Sequence, residues 1–303
     1  MSVTSGGILR RLLVLLVALA LQVCFATSVE AQTPLPENIP DFSQDLSRPN
    51  VQTVQSGRWS DASTWSDGQI PTSNHVVRIL QAHTVTIDDQ SAAAYTISVD
   101  GKLAFNPNVT TALYVTNLQV MAGNMGMGTP GVLEVGTTAN PIAPNVTAVI
   151  TIANNPLGGS VPDTDQFGTG ITVLGKMSMH GSVRTPTFVR LAAEPHAGQT
   201  TLRLSEAVSG WQMGDRLILP DTRHMKNSEV EEFRWINIVN QWEELTVQDI
   251  SQDGRTVTLA LPLVYDHLGA RNLNNVLEFL PHVGNLTRNV VVRSESATGT
   301  RGI

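Results

Sequence analysis

Two sets of residues in this sequence have types and spacings that could act on a polymer. The first is a basic window. Residues 176–226 hold Lys176, Arg184, Arg190, Arg203, Arg216, Arg223 and Lys226 against Glu194, Glu206, Asp215 and Asp221, a local excess of three positive charges. His180, His196 and His224 lie in the same stretch. Guanidinium and ammonium groups pair with carboxylates, and their aliphatic stems cover sugar faces. A polyanionic sugar would land here, on His180, Arg184, Arg190, Arg223 and Lys226, provided that strand alternation turns enough of them to one side.

The second set is a scatter of carboxylates and histidines. Hydrolysis of a glycosidic bond needs two carboxyl groups across the bond. The candidates are Asp215, Asp266 beside His267, and the adjoining Glu231 and Glu232. A lyase would instead need a base, a cationic clamp such as Arg184, and often Ca²⁺ to acidify the proton beside a uronate. Asp163-Thr164-Asp165, in a Pro/Gly-rich loop, has the oxygen ligands that Ca²⁺ takes, although such a run also forms an ordinary turn. Asp215 follows Trp211-x2-Gly214, a turn that favours a side-chain-to-backbone bond. No phosphate-binding glycine loop, zinc motif or serine elbow accompanies these residues.

The elements that must position them are strands. Of 303 residues, 41% are hydrophobic and only 15% charged, with 24 Gly and 16 Pro, which excludes coiled coils and charge-laced bundles. Short apolar alternations recur between Gly, Asn and Pro: Val76–Ile79, Val85–Ile87, Tyr95–Val99, Leu113–Val115, Leu118–Val120, Val132–Val135 and Val149–Ile152. Ile97-Ser-Val99-Asp-Gly101-Lys-Leu103-Ala-Phe105 aligns with Ile171-Thr-Val173-Leu-Gly175-Lys-Met177-Ser-Met179, and Leu113–Val120 echoes it. A strand, a tight corner and a second strand, repeated, predict an all-β solenoid of short rungs with loop insertions, with a sandwich as the rival. Only Ser228–Val239 could form a helical turn, through a Ser228/Glu231 capping box.

The first 31 residues read as a signal peptide: Arg10 and Arg11, an apolar run Leu12–Ala20, then Val29-Glu30-Ala31 before the cut. Residues 32–58 read as a flexible Pro/Asn/Gln-rich leader. Cleavage would remove Cys24, the only cysteine, so disulfides, cysteine-ligated zinc and a cysteine nucleophile are excluded. It would also change the net charge from −7 to −8, an unfavourable surface for nucleic acid or anionic lipid. The expectation is a protein secreted or held at the cell surface or periplasm, without a span after cleavage. Asn108-Val-Thr110, Asn145-Val-Thr147 and Asn285-Leu-Thr287 fit the glycosylation sequon.

One stretch is more specific. Trp59-x5-Trp65-Ser-Asp-Gly68-x-Ile70-Pro71, with Val76-Val77-x-Ile79 and Val85-x-Ile87-Asp88 after it, resembles the opening of the G-eight domain, named for eight glycines. Val99-Asp-Gly101-Lys-Leu103, Gly131-Val-Leu133-x-Val135-Gly136 and Leu174-Gly175-x-Met177-x-Met179-His180-Gly181 continue the match in order. The resemblance covers 59–303 and implies a G-eight domain over 59–191. A β-rich region would follow over 192–303, the start of a right-handed parallel β-helix, and His180 would be the module's terminal histidine. Trp59 and Trp65 would plug the first rung and Trp211 would anchor the later core. Larger family members bind or cleave hyaluronan, so three readings stand. They are a module that binds hyaluronan-like polysaccharide, a depolymerase using Asp215, Asp266, His267 and Arg184, and a structural surface module with no ligand.

Overall fold

The computed structural model describes residues 48–123, 129–155, 169–223 and 240–296. The signal peptide, most of the leader, the Asp163–Asp165 loop, His224, Lys226, Glu231, Glu232 and the Ser228–Val239 helix lie outside them. Within the described residues the chain is all-β apart from a single 3₁₀ turn at Ala62–Thr64.

Eleven strands form the first part. They are β1 (Asn50–Gln52), β2 (Gly57–Arg58), β3 (Val76–Ile79), β4 (Thr84–Ile87), β5 (Ala92–Val99), β6 (Lys102–Phe105), β7 (Thr111–Val120), β8 (Val132–Val135), β9 (Ala148–Ile152), β10 (Gly170–Val173) and β11 (Lys176–Met179). From β1 to β9 they alternate between two sheets. One runs β1-β3-β5-β7-β9, with β10 also on β7; the other runs β2-β4-β6-β8-β11. Every pairing is parallel. The register stacks like on like. Val77, Ile97, Leu118 and Ile171 form one column, and Val85, Leu103, Leu133 and Met177 another. This register explains the internal repeat, because apolar residues must recur at equivalent positions to continue a column. The columns merge into one core between the sheets, except at Met177, which ends its column exposed.

Where the chain turns from one sheet to the other, Gly101, Gly131 and Gly175 sit above one another, linked by Val132 N–H to Gly101 O at 2.8 Å and Lys176 N–H to Gly131 O at 2.9 Å. A Cβ on Gly131 would fall on the Val99 carbonyl oxygen, and one on Gly101 on the carbonyls of Leu80 and His83. The requirement is close approach of backbones. Trp59 and Trp65 are buried edge to face, centroids 4.9 Å apart, and Trp65 Nε1 donates to Trp59 O at 3.0 Å. They belong to the core and are closed to a sugar.

Beyond residue 187 the expected parallel rungs do not continue. The strands here are β12 (Phe188–Arg190), β13 (Thr201–Arg203), β14 (Arg216–Leu219), β15 (Glu243–Ile250), β16 (Thr256–Leu259), β17 (Ala270–Arg271), β18 (Leu277–Phe279) and β19 (His282–Asn285). All pair antiparallel, six of them in the order β12-β19-β14-β15-β16-β13. The reason is local: only Ser251–Arg255 separates β15 from β16, with Asp253-Gly254 at the turn and Gly254 at φ 67°. That is a hairpin, far shorter than a parallel crossover. The bridge Leu191–Leu204, with Ser205 N–H on Arg190 O at 2.9 Å and Ala192 N–H on Arg203 O at 2.8 Å, then joins the two edge strands. The sheet closes on itself as a small barrel. Its interior holds Val189, Leu191, Leu202, Leu204, Trp211, Leu217, Leu219, Leu245, Val247, Val257, Leu259 and Val283.

Strand β20 (Val290–Ser294) then returns to the first part and pairs in parallel with β9. The barrel is therefore an insertion, and its two connections meet at Asn289. That side chain donates to the carbonyls of Ile142, Ala143 and Val146 at 2.8–3.2 Å and accepts Ser182 N–H at 2.8 Å.

Candidate functional site

Strand alternation decides which barrel residues meet solvent. In β12, Val189 points inward while Phe188 and Arg190 are exposed. Antiparallel register places His282 opposite Arg190 and Gly284 opposite Phe188. The closing bridge carries this outer face onto β13, where Arg203 is exposed and Ser205 stands beside Arg190. Arg255 donates to the Ser205 carbonyl at 2.7 Å, bringing a third guanidinium close. The ring of His282 lies 6.0 Å from that of Phe188 and 5.6 Å from that of Phe279. Phe188 is 65% exposed and Phe279 52%, so two phenylalanines and a histidine line a basic strip. Beyond Arg203 a cavity of about 240 Å³ opens, lined by Glu194, Gln199, Thr201 and Arg203 among others.

Neither Arg190 nor Arg203 joins an ion pair or side-chain hydrogen bond among the described residues. Several other surface cations are paired: Arg78 with Asp100 at 2.6 Å, Lys102 with Glu134 at 2.7 Å, Arg271 with Glu194 at 2.6 Å, and Arg216 with Glu244. Arg223 is held by Asp221 at 2.7 Å, and this bond is the main reason the Asp221 carboxyl falls far below its usual range.

The remaining expected residues disperse. Arg184 and Asp215 are buried together: Nη2 lies 3.0 Å from Oδ1, and Nε donates to Oδ2 at 3.1 Å. Asn285 Nδ2 and Gln212 N–H add bonds to Oδ2 at 2.7 and 2.9 Å, and Arg184 Nη1 also donates to Ser182. Burial pushes the Asp215 carboxyl up, but the bonds from Arg184, Asn285 and Gln212 outweigh it and leave the group below its ordinary value. These bonds tie the barrel to the segment that enters it. The turn bond expected of Asp215 is present, and the carboxylate faces protein donors. Asn285, at 1% exposure, cannot present its sequon to solvent.

Asp266 and His267 are sequence neighbours that point apart. Asp266 is exposed, accepting Ala197 N–H at 2.9 Å and lying 3.3 Å from His196 Nδ1. The backbone bond, chiefly, lowers its pKa. His267 is fully buried, with Nδ1 2.8 Å from the Pro220 carbonyl and Nε2 2.9 Å from Glu243 Oε1. Glu243 also accepts the N–H groups of Val264 and Tyr265 at 2.8 and 3.0 Å. The histidine and glutamate pin a loop to the barrel wall. His180 is exposed at the end of the parallel part, and its backbone bonds Val135 and Ile142. Asp215, Asp266 and His267 therefore do not come together as one catalytic set. Among the described residues no three His, Cys, Asp or Glu side chains come together to hold a metal, and no helix is long and apolar enough to cross a membrane.

Sequence reasoning reached Arg190 but missed Phe188, Phe279, His282 and Glu243. Two of these carried a signal. Phe188 is in phase with an outward arginine, and Glu243 is in phase with the inward Leu245 and Val247.

Residues 64–192 match the family model of the G8 domain. The chain is 27% identical to fibrocystin-L of Mus musculus over 247 residues and 28% identical to that of Homo sapiens over 249 residues. Each alignment covers 80% of this chain and 5% of the relative. It is also 21% identical over 263 residues to protein rliB of Dictyostelium discoideum, covering 84% of this chain and 21% of that one. The chain thus spans about a twentieth of the length of the fibrocystin-L proteins it matches.

Proposed function

From the premise that this chain carries a G8 domain over residues 64–192, we propose that it is an exported module that binds acidic, hyaluronan-like polysaccharide. The observation that carries this reading is the pair Arg190 and Arg203. They are two exposed guanidinium groups without counter-ions among the described residues, on adjoining strands of a chain whose net charge is −7. Two neighbouring guanidinium groups that no carboxylate engages are available together to an anion from outside. The signal-peptide reading of residues 1–31 supports export. On the same reading the parallel part coils as a right-handed β-helix-like solenoid, an interpretation supported by its alternation between two sheets and its in-register columns. The solenoid serves as the scaffold and the barrel as the contact surface.

The test is retention of the purified chain on immobilised hyaluronan, eluted with rising NaCl. Retention at low salt, release as the Debye length shortens, and earlier elution of the R190Q/R203Q double variant are expected. A wild-type chain that passes unretained at low salt would overturn the reading. Shortened hyaluronan in the flow-through would move it from binder to depolymerase.

A further inference from the structure

The barrel face contains more than charge. Gly284 lies between Phe188 on one neighbouring strand and Ile218 on the other, paired in register with both. A Cβ on Gly284 would stand 3.2 Å from Ile218 Cγ2 and 3.9 Å from Phe188 Cβ. The absence of a side chain there leaves a trough one residue wide. Its floor is backbone, and Phe188, steadied by the His282 ring 6.0 Å away, forms one wall. A large aromatic ring left 65% exposed on a closed barrel forfeits burial that most phenylalanines obtain. It is also next to the open guanidinium of Arg190, two residues along the same strand face.

The geometry points to a saccharide-stacking subsite: the apolar C–H face of a pyranose ring lies on Phe188 over Gly284, while an acidic group on the neighbouring sugar reaches Arg190. This assignment rests on the polysaccharide reading and adds the class of ring and its place. Aromatic rings offer large apolar faces, and Phe188 and Phe279 offer two of them on either side of His282. The ring contact is indifferent to charge, whereas the Arg190 contact requires an anion. A neutral β-linked glucan should therefore bind weakly through the ring alone.

Binding of a hyaluronan octasaccharide and of cellohexaose to the full chain, followed by NMR titration, separates the two contacts. Phe188→Ala should weaken both ligands about tenfold, the scale of one truncated aromatic contact. Gly284→Val, which fills the trough, should do the same, and Phe188→Trp should restore binding. Arg190→Gln should weaken only the octasaccharide. Failure of the wild-type chain to bind cellohexaose, or Phe188→Ala binding both ligands as wild type does, would overturn the subsite. If hyaluronan binding remained sensitive to Arg190, the broader reading would survive that result. Failure of wild type to bind either ligand would remove both.

Discussion

The parallel part and the inserted barrel solve the same problem of burying strands in opposite ways. In the parallel part, β5 and β7 are buried along nearly their whole length, polar residues included: Thr96, Ser98, Asn117 and Gln119 are at most 2% exposed. Each layer is specified by its neighbours, so side chains are committed to columns and few reach out. In the barrel, buried and wetted residues alternate along the strands, apart from the irregularity between Val247 and Asp249 in β15. Of the 17 large apolar side chains that are exposed among the described residues, 12 lie between Val183 and Leu286. The repetitive part holds shape while the insertion presents surface.

The largest expected effect breaks the barrel alone. Asp215→Ala leaves Arg184 buried without its counter-ion, and losing one partner of such a pair costs about 3–5 kcal/mol. Denaturant melts with hydrogen exchange should show protection lost in β12–β19 and kept in β3–β8. Equal loss in both would show that the two parts do not unfold separately. The same carboxylate sets an acid dependence. Its folded pKa lies below the ordinary value, so its stabilisation is complete above the unfolded pKa and is lost as pH falls through the folded one, below about 4. Barrel protection should fade there before that of the parallel part.

A middle-sized effect sharpens the contrast from the other side. Gly131→Ala puts a methyl on the Val99 carbonyl at the corner of the parallel part. It should cost about 1–3 kcal/mol, as overpacking does, and lower protection in β5–β8 first. The smallest effect is on folding itself. R190Q/R203Q should change stability by less than about 0.5 kcal/mol, as surface substitutions do, while shifting elution from hyaluronan. A larger loss of stability would mean that these arginines hold the barrel together.

Much of the parallel part was legible in the sequence because it is repetitive. Gly101 and Gly175 mark the same corner two layers apart, with Gly131 between them, and Ile97 and Ile171 occupy one column. A pattern that must recur to be buried is visible without coordinates. Trp59 and Trp65 were expected to cap the stack of rungs, and the structure buries both in the core. The barrel was less legible. Its Asp253-Gly254 hairpin carried a signal, yet the closure at Leu191–Leu204 joins strands by a single bridge that no local pattern announces.

By itself, the sequence determined that the chain is β-structured, where its corners fall and that a basic window exists, since these follow from composition and short-range periodicity. Which basic residues are free was decided only by tertiary structure. Arg184 and Arg190 are six residues apart with the same side chain. The fold buries one against Asp215 and leaves the other beside Phe188, because a partner 31 residues away and a strand 92 residues away set their surroundings.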